Sequence, residues 1–185
     1  MTTLKADCLY LDQLGQDVAD CIPNDGNAVS KVKSACSKEY DEHFEYRFME
    51  ALRNYVQHRG IPVRVVRLKS GWTSFDESGR MEFALEFFSQ RRELATDDKF
   101  KKSVLNEIPT EIELRTACRR YVESLSEINE VARGAVSGAV DAARQAMEVM
   151  HRRYAAVYSD SSLGLSAMKL DDEGNVLESN SILLE

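Results

Sequence analysis

From Glu111 to about Tyr158 the chain contains no proline, and its apolar residues keep a spacing of three or four: Ile112, Tyr121, Leu125, Ile128, Ala132, then Met147, Met150, Tyr154 and Val157. That period belongs to an amphipathic helix. An element of this length limits the fold to a long-helix bundle with whatever is appended to it. Its middle, ARGAVSGAVDAARQAM, is small-sided, and Gly134, Ser137, Gly138, Ala142 and Ala143 would admit a close second helix. Each interior glycine costs about 1 kcal/mol relative to alanine, so packing is expected to offset it. A helix that outruns its own bundle points to dimerisation, or to a kink at Gly134 or Gly138.

The remaining pattern supplies shorter elements. Leu4, Leu9, Leu11, Leu14 and Val18 mark a first helix, and IPNDGN at 22–27 a loop with Asn27 available as a cap. Phe44, Phe48, Leu52 and Val56 step by four along a second helix, read as one long helix over 28–59, either continuous or broken near Ser37. Gly60 and Pro62 stop it. VRVVRL at 63–68 and MEFALEFF at 81–88 read as a β-hairpin, with Trp72 and Phe75 in its loop. A short helix is expected over 97–108. A second hairpin is expected around DEGN, over about 164–183, and the hairpins could join in one small sheet. The fold class is therefore mainly α with small β-hairpins (α+β), a single domain over 1–185, with its helical core at 1–60 and 97–158.

Composition narrows function by exclusion. No run approaches the ~18–20 apolar residues of a membrane span. The start MTTLKADCLYLDQL lacks a basic segment followed by an apolar block. Cys8, Cys21, Cys36 and Cys118 have neither metal-ligand nor disulfide-framework spacing, so reduced, mostly buried thiols in a cytoplasmic protein are expected. No glycine-rich phosphate loop occurs. Glu39, Glu42, Glu45 and Glu50 read as a solvated acidic face rather than a metal site, and neither metal nor cofactor is expected. The net charge of −7 is unevenly spread: residues 1–50 hold five basic against ten acidic side chains, while 59–70 carries Arg59, Arg64, Arg67 and Lys69 and no acid. Those arginines are candidate substrate contacts.

One stretch carries chemistry. In EALRNYVQHRGIP, Arg53, Asn54 and His58 fall together in the last turns of the second helix. Residues four apart share a face, so Asn54 and His58 are neighbours. The helix C-terminus favours a protonated imidazole, a guanidinium suits a crowded phosphate, and Asn54 can fix the histidine tautomer or a ribose hydroxyl. RNYVQH resembles the motif of the HEPN superfamily, helical proteins that often carry Arg-x4–6-His near a helix end, with a polar residue after the Arg. The resemblance implies metal-independent RNA cleavage by 2′-hydroxyl attack, with His58 moving the proton and Arg53 stabilising the transition state. It also implies a homodimer sharing one cleft, here through the 111–158 and 28–59 helices, in a bacterial toxin–antitoxin or phage-defence setting. It covers six residues, or about twenty with the preceding helix and the Gly-x-Pro stop.

Arg144 and His151 also fit Arg-x6-His but lie mid-helix without the Asn or the stop. His43, in DEHFEY, reads as an exposed helix residue. The competing reading of the chain is a non-catalytic dimerisation or protein-interaction module, antitoxin-like or a scaffold, whose working surface is the long helix.

Overall fold

The structure is a computed structural model and describes residues 3–74, 78–158 and 165–181. It is mixed α/β: mostly helical, with one long helix and two small antiparallel sheets. The elements run α1 (Thr3–Cys21), α2 (Gly26–Glu42), α3 (Phe44–His58), β1 (Val65–Trp72), β2 (Met81–Gln90), α4 (Arg91–Leu94), α5 (Lys102–Glu107), β3 (Glu111–Glu113), α6 (Leu114–Val157), β4 (Ser166–Leu170) and β5 (Val176–Ser181). The chain divides into two compact units, 1–135 and 136–185.

In the first unit the expected 28–59 helix is two helices, and the break falls at His43 rather than Ser37. His43 is extended, with φ −117° and ψ 113°, and both ends α2 and begins α3. Arg47, one turn into α3, reaches back and donates from Nη1 to the Tyr40 and Asp41 carbonyls at 2.7 and 2.9 Å. These are orphan acceptors at the end of α2, so Arg47 stabilises the very interruption it follows. Its Nη2 also donates to Glu107 at 2.6 Å, tying α5 to the same corner. At the start of α2 the cap is Asp25, not Asn27. Its Oδ1 accepts from the Asn27 and Ala28 amides at 3.0 and 3.2 Å.

The buried face of α3 is Phe48, Met49, Leu52 and Tyr55, and Val56 is only half-buried. A ladder stepping strictly by four advances 40° at each step, so by its third step Val56 has drifted off the core. Tyr55, seven residues from Phe48, returns to it. Tyr121 of α6 and Phe100 pack on α3, and Ile128 of α6 is buried with Leu94, Val104 and Ile108 from the segment before it. The Tyr121 hydroxyl donates to Glu50 Oε1 at 2.6 Å, and the Tyr46 and Tyr121 rings lie 5.3 Å apart.

The 97–108 segment is helical only over Lys102–Glu107, with 97–101 a turn packed on α3. Residues 111–113 form a strand, not the start of the long helix, and pair antiparallel with β2. The first sheet is ordered β1-β2-β3, and Trp72 lies in β1 rather than in a loop; Phe75 is outside the described residues. The two hairpins do not merge: β4 and β5 form their own two-stranded sheet in the second unit. Between them Asp171 accepts from the Glu173 and Asn175 amides at 3.0 and 2.7 Å, and Gly174 takes the left-handed φ of +86° that this turn requires. The outer residues of that expected hairpin, 164 and 182–183, are outside the described residues.

Glu113 joins the sheet to α6. Its Oε2 accepts from the Thr116 amide and hydroxyl, both at 2.7 Å, and its Oε1 from the Arg115 amide at 3.1 Å and the Phe87 amide at 3.4 Å. Burial pushes this carboxyl upward, but the bonds from Thr116, Arg115 and Phe87 together hold it below its ordinary 4.5. A depressed folded value contributes stability that is present above the unfolded value and lost as pH falls through the folded one. Glu113→Gln is therefore expected to cost about 1 kcal/mol at neutral pH, as loss of a helix cap does. It should also flatten the acid side of the stability curve. Urea melts of both proteins between neutral and strongly acidic pH read this directly, and parallel curves would remove the cap from the account.

Two further expectations are corrected. Cys21 and Cys118 are exposed and Cys36 is half-buried, so the thiols are not mostly interior; the Cys8 side chain is outside the described residues. Nor is the acidic face uniformly solvated, since Glu39 is buried at 6% exposure. Among the described residues no helix is long and apolar enough to cross a membrane.

Candidate functional site

α3 ends as the sequence suggests. The Arg59 amide donates to the Tyr55 carbonyl at 2.8 Å, and Gly60 follows at φ +121°, a backbone region that favours glycine. On this last stretch Tyr55 faces the core, Asn54 and His58 are exposed, and Arg53 is half-buried between the two directions. The Arg53 guanidinium is uncommitted: its Nε is enclosed and makes no hydrogen bond among the described residues. A buried donor left open in this way calls for an explanation, and a ligand oxygen is one.

Asn54 opens into a cleft of about 190 Å³ between α3 and the 97–101 turn, lined also by Tyr40, Arg47, Glu50, Lys99 and Lys101. The turn follows α3 closely. Asp97 pairs with Arg59 at 3.4 Å, the Phe100 and Tyr55 rings meet edge-on at 6.3 Å, and Lys101 lies over the Tyr40 ring at 4.6 Å while contacting its hydroxyl. Lys99 and Lys101 have no acid within ion-pair reach among the described residues. The cleft thus sets the Lys99 ammonium, and the Lys101 ammonium engaged on Tyr40, beside Asn54. The hint in the sequence was the basic half of DDKFKK, which helix periodicity alone had absorbed into a longer helix.

The three arginines expected to hold substrate are differently employed. Arg59 is bound to the nearly buried Asp97. Arg64 donates to the Tyr55 hydroxyl at 3.4 Å and lies 3.9 Å from Glu93. Arg67 pairs with Glu111 at 2.5 Å and sits over the Phe88 ring at 4.3 Å. All three are struts between the first sheet, the turns and α3. Sequence reading sees a stretch without acids; the fold brings the acids from 93–111.

His43 is not an exposed helix residue. It is half-buried at the α2–α3 break, with Nε2 3.5 Å from Glu39 Oε2 and in contact with Arg120 Nη2 of α6. Arg120 also reaches Glu39 at 4.0 Å and Glu123 at 3.0 Å. The buried Glu39 carboxyl is thereby flanked by Arg120 and His43, from two elements, which suits a structural clamp. Arg144 pairs loosely with Asp141 at 4.0 Å on an exposed part of α6, and His151 is half-buried further along it. Among the described residues no group of three or more His, Cys, Asp or Glu could hold a metal ion.

Asn54, Lys99 and Lys101 thus line one cleft, while Arg53, with its Nε unbonded, and His58 lie on the same closing turns of α3 outside that lining. Comparison with protein-family models, with characterised proteins and with solved structures found no match to this chain.

Proposed function

We propose that the chain is a HEPN-like endoribonuclease that cleaves RNA without a metal ion, in a bacterial toxin or phage-defence setting in the cytoplasm. The observation that carries this reading is the unengaged Arg53 guanidinium on the same closing turns as the exposed Asn54 and His58.

The chemistry asks little more. The ribose 2′-oxygen attacks the adjacent phosphorus as its proton passes to a base, and the bond from phosphorus to the 5′-oxygen breaks as that oxygen gains a proton. A 2′,3′-cyclic phosphate and a free 5′-hydroxyl result. His58 is the group able to exchange protons near neutral pH. Arg53 meets the charge that grows on the phosphoryl oxygens with a planar, permanently charged fork. Asn54 holds the ribose or orients the imidazole. Lys99 and Lys101 supply the backbone contacts first assigned to Arg59, Arg64 and Arg67.

The test is cleavage of a mixed-sequence RNA in excess EDTA, with end-group analysis of the products. Cyclic phosphate ends from wild type, absent with Arg53→Ala and with His58→Ala, support the proposal. An inert wild-type protein with native circular dichroism would remove it. The reading as a non-catalytic interaction module would then stand.

A further inference from the structure

The β1–β2 hairpin pairs Val66 with Phe87, Leu68 with Leu85, Ser70 with Phe83 and Trp72 with Met81. Partners directly opposite in an antiparallel ladder point to the same side, and alternate residues share a face. One face of this hairpin is therefore Val66, Leu68, Trp72, Met81, Phe83, Leu85 and Phe87, with Ser70 its single polar member and no charge. The opposite face carries the polar set, with Arg67 against Glu111 and Lys69 against Glu86 at 2.6 Å. In a lone domain the apolar side would be the one turned inward. Here it is open except at the half-buried Phe87: over the other apolar members exposure runs from 45% at Met81 to 65% at Leu68 and Phe83, with Trp72 at 56%.

We infer that this face is the contact between two copies of the chain, stacked hairpin on hairpin about a two-fold axis. At ~150–250 Å² for a whole aromatic side chain and less for an aliphatic one, the exposed portions amount to roughly 600 Å² per copy. That is at the top of the range for the largest apolar patch on a monomer. Two copies together would cover about 1,200 Å², which is where specific, stable interfaces begin. Neutrality selects the occupant. A two-fold contact sets each residue against its own patch, so any charge there would meet its like; a face without one is self-complementary. Nucleic acid or an anionic lipid surface would call for a cluster of free cations on the face; it carries none, Arg67 and Lys69 lie on the other side, already paired, and Arg80 stands alone beside Met81 at the hairpin's end. The inference moves the dimer contact away from the small-residue stripe of α6 to the hairpin. It does not depend on whether the end of α3 cuts RNA.

The experiment is sedimentation of the full chain from ~100 µM down to ~0.1 µM, with the fluorescence of Trp72, the one tryptophan, followed over the same range. A dimer is expected at the upper end, with Trp72 emission shifting red on dilution in step with dissociation. Leu68→Lys with Phe83→Lys should give a monomer of unchanged helical content, since both positions are exposed. Glu82→Lys, on the opposite face, should remain dimeric. A wild-type monomer throughout, a Leu68→Lys/Phe83→Lys protein that stays dimeric, or a dimer whose Trp72 emission is that of an exposed indole would each overturn the inference. The wild-type dilution decides the question even if the double variant fails to fold.

Discussion

His58→Ala is expected to lower RNA cleavage by about 10²–10⁴-fold, the usual contribution of a positioned general acid or base. Folding stability should stay within about 0.5 kcal/mol, because the side chain is exposed and bonds to none of the described residues. Arg53→Ala should fall in the same range for a different reason: it withdraws the charge that faces the phosphoryl oxygens only as the transition state forms. The two changes together should cost little more than the worse of them, as happens when residues act in one step. Lys99→Ala and Lys101→Ala should behave otherwise, raising KM and weakening its dependence on salt while largely sparing kcat. Single-turnover rates alongside steady-state kinetics separate these patterns. Equal losses for all four variants would mean that the cleft does not divide labour in this way.

The largest effect on stability is expected from Phe48→Ala, at about 3–5 kcal/mol. Phe48 is completely buried, and its ring lies 6.0 Å from that of Phe44. It belongs to the face that packs α3 into the first unit, so truncation leaves a cavity where the helix carrying Arg53, Asn54 and His58 is anchored. Small domains have only about 5–15 kcal/mol to lose, so the variant should unfold at a far lower urea midpoint with an unchanged slope. Surviving folded protein should also cleave more slowly, because sub-ångström placement of catalytic groups depends on a rigid support. A loss under 1 kcal/mol would show that the site collapses around the cavity and that α3 is held chiefly by its polar ties, Tyr121 to Glu50 and Arg47 to Glu107.

Much of the fold could be read from periodicity, and the misreadings have specific causes. The long helix, both hairpins and the Gly60 stop were visible because each is a local pattern: a 3.6 period, a 2 period, or a residue that tolerates positive φ. The break at His43 was hidden because its cause is Arg47, a side chain bonding backward to carbonyls, and nothing in the residue types at 42–44 announces it. Residues 111–113 joined β2 because a neighbouring strand offered partners, which helix propensity cannot anticipate. At the site, Arg53, Asn54 and His58 could be assigned to one helix end from local pattern, and all three lie on α3. Sequence reading offered Arg59, Arg64 and Arg67 as substrate contacts without seeing the acids that pair with them, since those ion pairs cross 29 to 44 residues of chain.

The burial pattern of α6 bears on how the protein breathes. Its deeply buried residues begin at Leu114 and stop at Ala132, yet the helix continues to Val157. The first half therefore shares the fate of the core, and its amides should exchange with solvent only when the unit unfolds. The second half is held by its own hydrogen bonds and shallow contacts, and Gly138 within it, like Gly134 just before it, has open space where a side chain would stand. One helix should thus show two lifetimes: slow exchange over its start, embedded in the fold, and faster exchange over the residues beyond Ala132.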